Sequence, residues 1–225
     1  MTGFSLVCLD MAGTTVRDDG VVETAFAGAA QALGLAQGTS AFDEALSYVR
    51  ETMGQSKIDV FTHLFGADRA ENAVQIFEKD MTAAIASGQV TALPGAVETF
   101  AELREGGLKI CLTTGFSPAT REAILEVLQW TSLVDLALSP ADAGRGRPFP
   151  DMILTAVLRL AIDDVRTVAV AGDTVSDLLA GTRAGAALVA GVTTGAHTAD
   201  QLTHAPHTHI LPSVHDLVPL LTENA

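Results

Sequence analysis

The chain has 225 residues, 48 % of them hydrophobic and 5 % aromatic, which is enough to bury the core of one domain that carries a smaller insert. The formal net charge of −14 disfavours nucleic-acid binding, whereas a small anionic substrate is compatible with it because a bound cation reverses the local field. No apolar run is long enough to suggest a membrane span, and the N-terminus lacks the basic-then-apolar order of a signal peptide. The two cysteines fit buried free thiols. We therefore expect a cytoplasmic protein without membrane partners.

Short apolar runs alternate with helical patterns over most of the chain. The runs fall at residues 4–9, 108–113, 133–138, 167–171, 187–190 and 208–211. Between most of them, apolar residues recur with a helical period, at residues 95–106, 118–129, 150–161 and 174–184. Strands that are apolar throughout are buried on both faces, and strand–helix alternation places helices over both faces. The pattern predicts an α/β fold with a doubly wound, Rossmann-like parallel sheet.

The segment at 19–91 interrupts this alternation. It contains no convincing strand and four helical patterns, at residues 21–33, 40–53, 57–65 and 69–87. We therefore predict an all-helical cap at 19–91, inserted into an α/β core formed by 1–18 and 92–225. Turn-like residues flank the insert on both sides, and we expect the cap to move on hinges near 16–20 and 91–95.

Three of the predicted strands end in polar groups suited to phosphoryl chemistry. In open α/β sheets, ligands bind beyond the carboxyl ends of the strands, so these groups are expected to converge if the strands are neighbours. A lone aspartate after a strand is usually a turn or cap residue, but three such strand ends in one chain favour a site. The groups are Asp10 after the first strand, Thr114 and Gly115 after the second, and Asp173 and Asp177 after the fourth.

These carboxylates suit a magnesium site. A carboxylate at a strand end can act as a nucleophile or hold a divalent cation. Magnesium prefers oxygen ligands and keeps several waters, so Asp10, the carbonyl of Ala12 and Asp173 are sufficient. Asp177 lies one helical turn after Asp173 and is either a ligand or a residue that supports one.

Three further residues suit a phosphoryl group. The Thr114 hydroxyl and the Gly115 N–H can hold phosphate oxygens at the start of a helix. Arg147 can neutralise a phosphoryl oxygen or orient Asp10. Four histidines that cluster late in the chain are instead expected to have surface or structural roles; they are His197, His204, His207 and His209.

The motifs resemble those of the haloacid dehalogenase superfamily of aspartate-nucleophile hydrolases. "DMAGTT" is similar to its nucleophile motif, "LTTG" to its phosphate motif and "GDTVSD" to its acidic motif. The resemblance implies an α/β core, a helical cap inserted after the nucleophile, and Mg²⁺. Most phosphatases of the superfamily carry a second aspartate, two residues after the nucleophile, that protonates the leaving group. Here that position is Ala12.

One branch of the superfamily, the phosphonatases, shares this departure. "DMAGTTV", "TTGF", "GRPFP" and "GDTVSD" resemble its patterns, and "MGQSKIDVF", residues 53–61, resembles a cap segment whose lysine forms a Schiff base with the substrate aldehyde. The resemblance implies this role for Lys57 and substrate contacts for Met53 and Gly54. Phosphonatases form dimers through the cap, so a homodimer is implied in the same way.

The phosphonatase reaction accounts for the missing acid. When a carbon–phosphorus bond is cleaved, the carbon leaves as a carbanion. This leaving group needs an electron sink rather than a proton donor at Ala12. Lys57 condensed with an aldehyde forms an iminium, so attack of Asp10 on phosphorus expels an enamine. We predict a magnesium-dependent hydrolase that cleaves phosphonoacetaldehyde or a close analogue through a Schiff base on Lys57 and an aspartyl-phosphate on Asp10.

Alternatives remain because the chain departs from the phosphonatase pattern. Val60, Phe116 and Met11 stand where that branch has histidine, tyrosine and tryptophan. A phosphatase or phosphomutase acting on a small phosphate ester is the first alternative, although Ala12 argues against it. A halide-removing enzyme is less favoured because "GDTVSD" suits a metal. A non-catalytic binding protein on the same scaffold is the alternative from another class.

Overall fold

The structure is a computed structural model that describes residues 3–17 and 19–222. Residue 18, at the predicted domain boundary and within a predicted hinge, lies outside the described residues. The strands, in chain order, are β1 (Leu6–Asp10), β2 (Val16–Arg17), β3 (Thr91–Ala92), β4 (Lys109–Thr113), β5 (Leu136–Leu138), β6 (Val168–Gly172), β7 (Leu188–Val192) and β8 (His209–Leu211). The helices are α1 (Val21–Ala32), α2 (Ser40–Glu51), α3 (Lys57–Phe65), α4 (Ala67–Ala86), α5 (Ala96–Glu105), α6 (Pro118–Val127), α7 (Pro140–Ala143), α8 (Asp151–Arg159), α9 (Val175–Ala184), α10 (Ala199–Thr203) and α11 (Leu217–Thr222).

Six strands form one parallel sheet in the order β5–β4–β1–β6–β7–β8. Every residue of β1, β6 and β7 is buried, as expected for strands covered on both faces. Val7 of β1 belongs to the same hydrophobic cluster as Phe100 of α5, whereas Cys8 belongs to the cluster of Met152 of α8. Neighbouring residues of a strand point to opposite faces, so helices cover both faces. The predicted doubly wound α/β fold is confirmed.

The chain between β2 and β3 is helical, and the four predicted helices are found there with ends shifted by one or two residues. Their shared core is aromatic: the ring of Phe61 lies 5.8 Å from those of Phe26 and Phe77 and 6.0 Å from that of Phe65, measured between centroids. The Phe77 ring also lies 6.5 Å from that of Phe116, which follows β4. The aromatic core of the cap therefore reaches the carboxyl edge of the sheet.

The ribbon of β2 and β3 was not predicted. Val16 pairs with Ala92 and Arg17 with Thr91 in antiparallel register, so the two segments that join the helical insert to the sheet run side by side. Two-residue strands carry no hydrophobic period, and the short helices α7, α10 and α11 were missed for the same reason. The domain limits and the hinge positions stay predictions. None of the described helices has the length and apolar character needed to cross a membrane.

Candidate active site

Three adjacent strands deliver the predicted groups to one edge of the sheet. β1 ends at Asp10, which pairs with Thr113 at the end of β4, and β6 on the other side of β1 runs through Gly172 into Asp173. Asp10, Thr114 and Asp173 are buried, with 3 %, 2 % and 1 % of their surfaces exposed. The neighbouring order β4–β1–β6 therefore brings the three motifs together.

Arg147 connects two of the carboxylates. Its Nη1 lies 2.5 Å from Oδ1 of Asp10 and also donates to Oδ1 of Asp177. The other carboxylate oxygen of Asp177 accepts hydrogen bonds from the backbone N–H of Thr174 at 3.1 Å and from its hydroxyl at 2.6 Å. Thr174 and Asp177 form a capping box at the start of α9. Both oxygens of Asp177 are thus engaged by protein donors, and Arg147 is fixed against Asp10.

Asp173 is held by segments from two other parts of the chain. The Thr14 hydroxyl lies 3.3 Å from its Oδ1, and the backbone N–H of Ala196 donates to its Oδ2 at 2.6 Å. A Cβ atom on Gly13 would stand 2.4 Å from this Oδ2, and one on Gly195 would stand 2.0 Å from it. Gly13 also has a φ of +83°, so both backbone conformation and space require glycine there.

The site carries an excess of buried negative charge. Asp10, Asp173 and Asp177 each offer an oxygen within 4.8 Å of the others. Burial raises the pKa of Asp10 to about 6, and the charge of Asp177 adds to the rise while Arg147 opposes it. Burial, with the charges of Asp10 and Asp177, holds the pKa of Asp173 well above its usual range. The two carboxylates also hold the pKa of Arg147 above its usual value despite burial.

This donor set fits a divalent cation. Three buried carboxylates face one guanidinium, so an added positive charge relieves repulsion that the protein itself leaves uncompensated. Hard cations such as Mg²⁺ prefer oxygen ligands of this kind. Because Arg147 and Thr174 already engage Asp177, the residues that could hold the ion directly are Asp10, Asp173 and the carbonyl of Ala12.

The predicted phosphate motif follows β4. The backbone N–H of Thr114 donates to the carbonyl of Leu138 at 3.0 Å, and its hydroxyl accepts from the N–H of Phe116 at 3.2 Å. The following helix, α6, begins at Pro118 and is capped by Ser117. Thr114 and Gly115 therefore lie in the loop that leads into α6, which begins at Pro118 as the predicted helix at residues 118–129 does.

The loop between α2 and α3 lies against the acidic motif and the segment that carries Arg147. A Cβ on Gly54 would stand 2.9 Å from the Thr174 hydroxyl oxygen and 3.6 Å from Cζ of Arg147. The side-chain amide of Gln55 donates to the Ser176 hydroxyl at 3.4 Å. On the far side of the loop, a Cβ on Gly146 would stand 3.0 Å from Cβ of Ser56. Glycines at these points allow the loop to approach the core closely.

Lys57, the first residue of α3, follows this loop and is half-buried. Its Nζ lies 5.6 Å from the ring centroid of Phe116 and 5.8 Å from that of Phe77, within the range of cation–π contacts. Lys57 lines a cavity of about 20 Å³ together with Asp10, Ala12, Val22, Met53, Gly54, Thr114, Gly115, Phe116, Arg147 and Thr174. Lys57 and Asp10 thus line the same small cavity.

Two open clefts flank this cavity. One, of about 630 Å³, shares Ala12, Val22 and Met53 with it and also reaches Asp173. The other, of about 270 Å³, shares Lys57, Gly115 and Phe116 with it. A cavity of about 20 Å³ has room for roughly one water molecule, so a larger ligand does not fit the space that Lys57 and Asp10 both line in this arrangement of the chain.

The sequence-predicted residues are gathered at this one place, whereas several neighbours were missed. Among the described residues, the group of acidic, histidine and cysteine side chains placed to hold a metal is the aspartate triad, without the late histidines. The missed neighbours are Gly13, Thr14, Thr174, Gly195, Ala196 and His197. Thr174 had a signal in the T-x-x-D capping pattern. Gly13 and Thr14 belong to the nucleophile motif itself, whereas Gly195, Ala196 and His197 come from a remote segment, and their contacts have no local signature.

Comparison with known proteins agrees with this geometry. The sequence model of a family described as haloacid dehalogenase-like hydrolase matches residues 4–185. The chain is 31 % identical to the probable phosphatase IndB of Dickeya dadantii over 95 % of this chain and 91 % of that protein. It is 37 % identical to a phosphonoacetaldehyde hydrolase of Parabacteroides distasonis over 48 % of this chain and 41 % of that enzyme. A crystal structure of a phosphonoacetaldehyde hydrolase-like protein from Oleispira antarctica superposes with a TM-score of 0.82 at 22 % identity, covering 98 % of this chain and 92 % of that one.

Proposed function

Because this chain belongs to the haloacid dehalogenase-like hydrolase family, we propose that it is a magnesium-dependent hydrolase that cleaves the carbon–phosphorus bond of phosphonoacetaldehyde or a close analogue. The observation that carries this proposal is the cavity of about 20 Å³ that Lys57 and Asp10 both line. A substrate with an aldehyde at one end and a phosphonate at the other needs an amine and a carboxylate placed in this way. The partial match to phosphonoacetaldehyde hydrolases supports it.

The proposed reaction divides into steps that this chain's residues perform. The Lys57 amine condenses with the aldehyde and releases water, which gives an iminium conjugated to the carbon–phosphorus bond. An Asp10 oxygen attacks phosphorus, and the bonding electrons move into the iminium to leave an enamine on Lys57 and an aspartyl-phosphate on Asp10. Protonation and hydrolysis of the enamine release acetaldehyde, and hydrolysis of the aspartyl-phosphate releases phosphate.

The neighbours of Asp10 support the attack. The nucleophile must be ionised, and Arg147 opposes the effect of burial on the pKa of Asp10. Mg²⁺ held by Asp10, Asp173 and the Ala12 carbonyl would supply positive charge against the phosphoryl oxygens. The Thr114 and Gly115 loop lines the same cavity, where it can contact the same oxygens. Closure of the cap excludes bulk water during the transfer.

A second candidate, hydrolysis or transfer of a small phosphate ester, has its own support. The relative that matches almost the full chain is named a probable phosphatase, whereas the phosphonoacetaldehyde hydrolase match covers about half. Against this reading, Ala12 lines the cavity at the position from which a carboxyl would protonate an ester leaving group. A small anionic substrate, a homodimer formed through the cap and a cytoplasmic location stay predictions.

Reductive trapping separates the candidates. We expect borohydride added with phosphonoacetaldehyde and Mg²⁺ to inactivate the protein and to leave an adduct that peptide mass mapping assigns to Lys57. Lys57→Arg keeps the charge but cannot form the imine, so it should abolish carbon–phosphorus cleavage and trapping alike. Lys79→Arg, a change at an exposed lysine of α4, is the matched control and should behave as the unchanged protein.

Any other result of these experiments points to a different mechanism or a different function. Phosphate release from phosphonoacetaldehyde with Lys57 unmodified would overturn the Schiff-base mechanism. Faster hydrolysis of phosphate monoesters, unaffected by Lys57→Arg, would establish the phosphatase instead. Absence of phosphate release from both substrates, together with no Mg²⁺ affinity in calorimetry, would indicate a binding protein on the hydrolase scaffold.

A further inference from the structure

His197 joins two helix ends that belong to different layers of the molecule. Its side chain is buried, with 7 % of the residue exposed. Its Nδ1 accepts a hydrogen bond from the backbone N–H of Val175 at 3.0 Å, and its Nε2 lies 3.3 Å from the backbone carbonyl oxygen of Arg50. A backbone N–H can only donate and a carbonyl can only accept, so these partners fix the neutral tautomer with its proton on Nε2.

Both partners are backbone groups at helix ends, where the regular hydrogen bonds within the helix are missing. Val175 is the first residue of α9, whose first N–H groups have no intrahelical acceptor. Arg50 lies in the last turn of α2, whose final carbonyls have no regular intrahelical donor. The backbone N–H groups of Thr52 and Met53 also point to this carbonyl, that of Met53 at a long 3.4 Å. One imidazole therefore caps the N-terminus of a core helix and the C-terminus of a cap helix.

The two capped ends lead directly to the candidate catalytic groups. α9 follows Asp173, and the His197 backbone N–H also contacts the Asp173 carbonyl at 3.3 Å. α2 leads into the loop that carries Gly54 and then into Lys57. The residue before His197, Ala196, donates to the Asp173 carboxylate. A change in the position of the 194–198 loop would thus affect both Asp173 on the core side and the segment leading to Lys57 on the cap side.

We propose that His197 is a positioning residue that fastens the C-terminal end of α2 to the core and so holds the closed cap, with Lys57, over Asp10. This inference requires only that the cap closes on the sheet, and it holds for either reaction of the preceding section. It predicts that the bond to Arg50 controls closure, while the bond to Val175 fixes the imidazole on the core side.

Two substitutions separate these bonds. In His197→Asn the side-chain oxygen can take the place of Nδ1 and keep the Val175 bond, but nothing reaches Arg50. In His197→Gln the side-chain amide nitrogen can take the place of Nε2 and keep the Arg50 bond, while the Val175 bond is lost. Amide hydrogen exchange of the Mg²⁺-loaded protein, followed by peptide mass spectrometry, reads the two ends separately.

We expect His197→Asn to raise the exchange rate of peptides covering residues 50–57 about fivefold, the order of effect that one lost hydrogen bond produces, with residues 174–178 unchanged. His197→Gln should restore protection at 50–57. The Kd of inorganic phosphate in the presence of Mg²⁺ should rise by a similar factor in His197→Asn and stay unchanged in His197→Gln. These readouts involve no turnover, so failure of the Schiff-base mechanism leaves them unaffected.

Two results would overturn the inference. An equal rise in the amide exchange rate of residues 50–57 in the two variants would show that His197 acts only as a packing group within the core. Protection of 50–57 that is unchanged in both variants would show that closure does not depend on the bond to Arg50. If His197→Ala is too unstable to purify, the comparison of the asparagine and glutamine variants still decides between these outcomes.

Discussion

Gly115 lies directly beneath the backbone carbonyl of Gln55. A Cβ atom on Gly115 would stand 2.3 Å from that oxygen and 2.8 Å from the carbonyl oxygen of Gly54. Real Cβ contacts essentially never fall below 3.0 Å, and neither backbone oxygen can rotate away as a side-chain tip would. The loop between α2 and α3 can therefore reach its position above Asp10 only because residue 115 has no side chain.

Gly115→Ala should leave the protein folded but unable to close. The backbone at Gly115 is outside the left-handed region, so alanine imposes no conformational strain there. A displacement of about 1 Å of the loop that carries Lys57 should lower kcat/KM by about 100-fold. Gly3→Ala, at a site with nothing within 4 Å, is the matched control for the kinetic and melting measurements. Full activity of Gly115→Ala would mean that closure tolerates a shifted loop.

Arg147 should set the pH at which the enzyme becomes active. Its charge and hydrogen bond lower the pKa of Asp10, which burial raises to about 6. Arg147→Met should therefore raise that pKa and move the acidic limb of the kcat/KM profile to higher pH, because the nucleophile must be ionised. Arg145→Met, two residues away and paired on the surface with Asp151, should leave the limb in place.

A second variant tests the same relationship in the opposite direction. The charge of Asp177 raises the pKa of Asp10. Asp177→Asn keeps an oxygen that can accept from Arg147 but removes the negative charge, so the acidic limb should move to lower pH. The two opposite shifts can be measured with whichever of phosphonoacetaldehyde and a phosphate monoester is turned over faster. Shifts in the same direction would show that the limb reports a group other than Asp10.

The metal-free protein should lose stability as the pH rises. A carboxyl whose pKa is higher in the folded state than in the unfolded chain binds more protons when folded, so ionisation favours unfolding. For Asp10 the loss falls between its ordinary pKa of 3.8 and about 6, and Asp173, whose pKa burial also raises, adds a loss in the same direction. In thermal melts with chelator from pH 4 to 7.5, Asp10→Asn should show a smaller decline than the unchanged protein.

Magnesium should reverse this trend because it competes with protons for the same carboxylates. The rise in Tm on adding Mg²⁺ should be larger at pH 7.5 than at pH 5, and it should be reduced in both Asp10→Asn and Asp173→Asn. A Mg²⁺ effect that is independent of pH, or that survives both substitutions, would place the ion elsewhere.

The sequence predicted what depends on contiguous residues. The buried strands of the sheet were found as short, continuous apolar runs, and the helices of two turns or more were found because their apolar residues recur with a helical period. Asp10, Thr114, Gly115 and Asp173 were found because each directly follows a strand, and parallel strands bring their carboxyl ends to one edge. Lys57 carried no such signal, and it was assigned from a resemblance of the segment around it.

What escaped prediction depends on the approach of remote segments. Thr194 donates through its hydroxyl to the Gly13 carbonyl across 181 positions of the chain, and Gln55 reaches Ser176 across 121. No local sequence pattern indicates contacts between residues so far apart in the chain. His197 shows the limit clearly, because the sequence allowed it either a surface or a structural role, and only the fold shows that it is buried between Val175 and Arg50.

The aromatic core of the cap should couple stability to the placement of Lys57. Phe61 is buried among the rings of Phe26, Phe65 and Phe77, and it lines, with Lys57, a second small cavity of about 10 Å³. Phe61→Ala should lower the free energy of unfolding by about 3 to 5 kcal/mol, because it removes a large buried side chain and leaves a void. Urea unfolding followed by circular dichroism measures this loss.

The functional consequence follows from the void's position. With Phe61 removed, Phe77 loses the ring that supports it, and the amine of Lys57, 5.8 Å from the Phe77 ring, loses one wall of its pocket. Lys57-dependent turnover should therefore fall even at temperatures where the variant is fully folded. Phe149→Ala removes a ring of the same size that is 42 % exposed and stacked on Arg145, and it should change stability by less than about 1 kcal/mol with turnover unaffected. A loss of stability in Phe61→Ala with turnover unchanged in the folded variant would mean that the ring cluster stabilises the cap without positioning the amine.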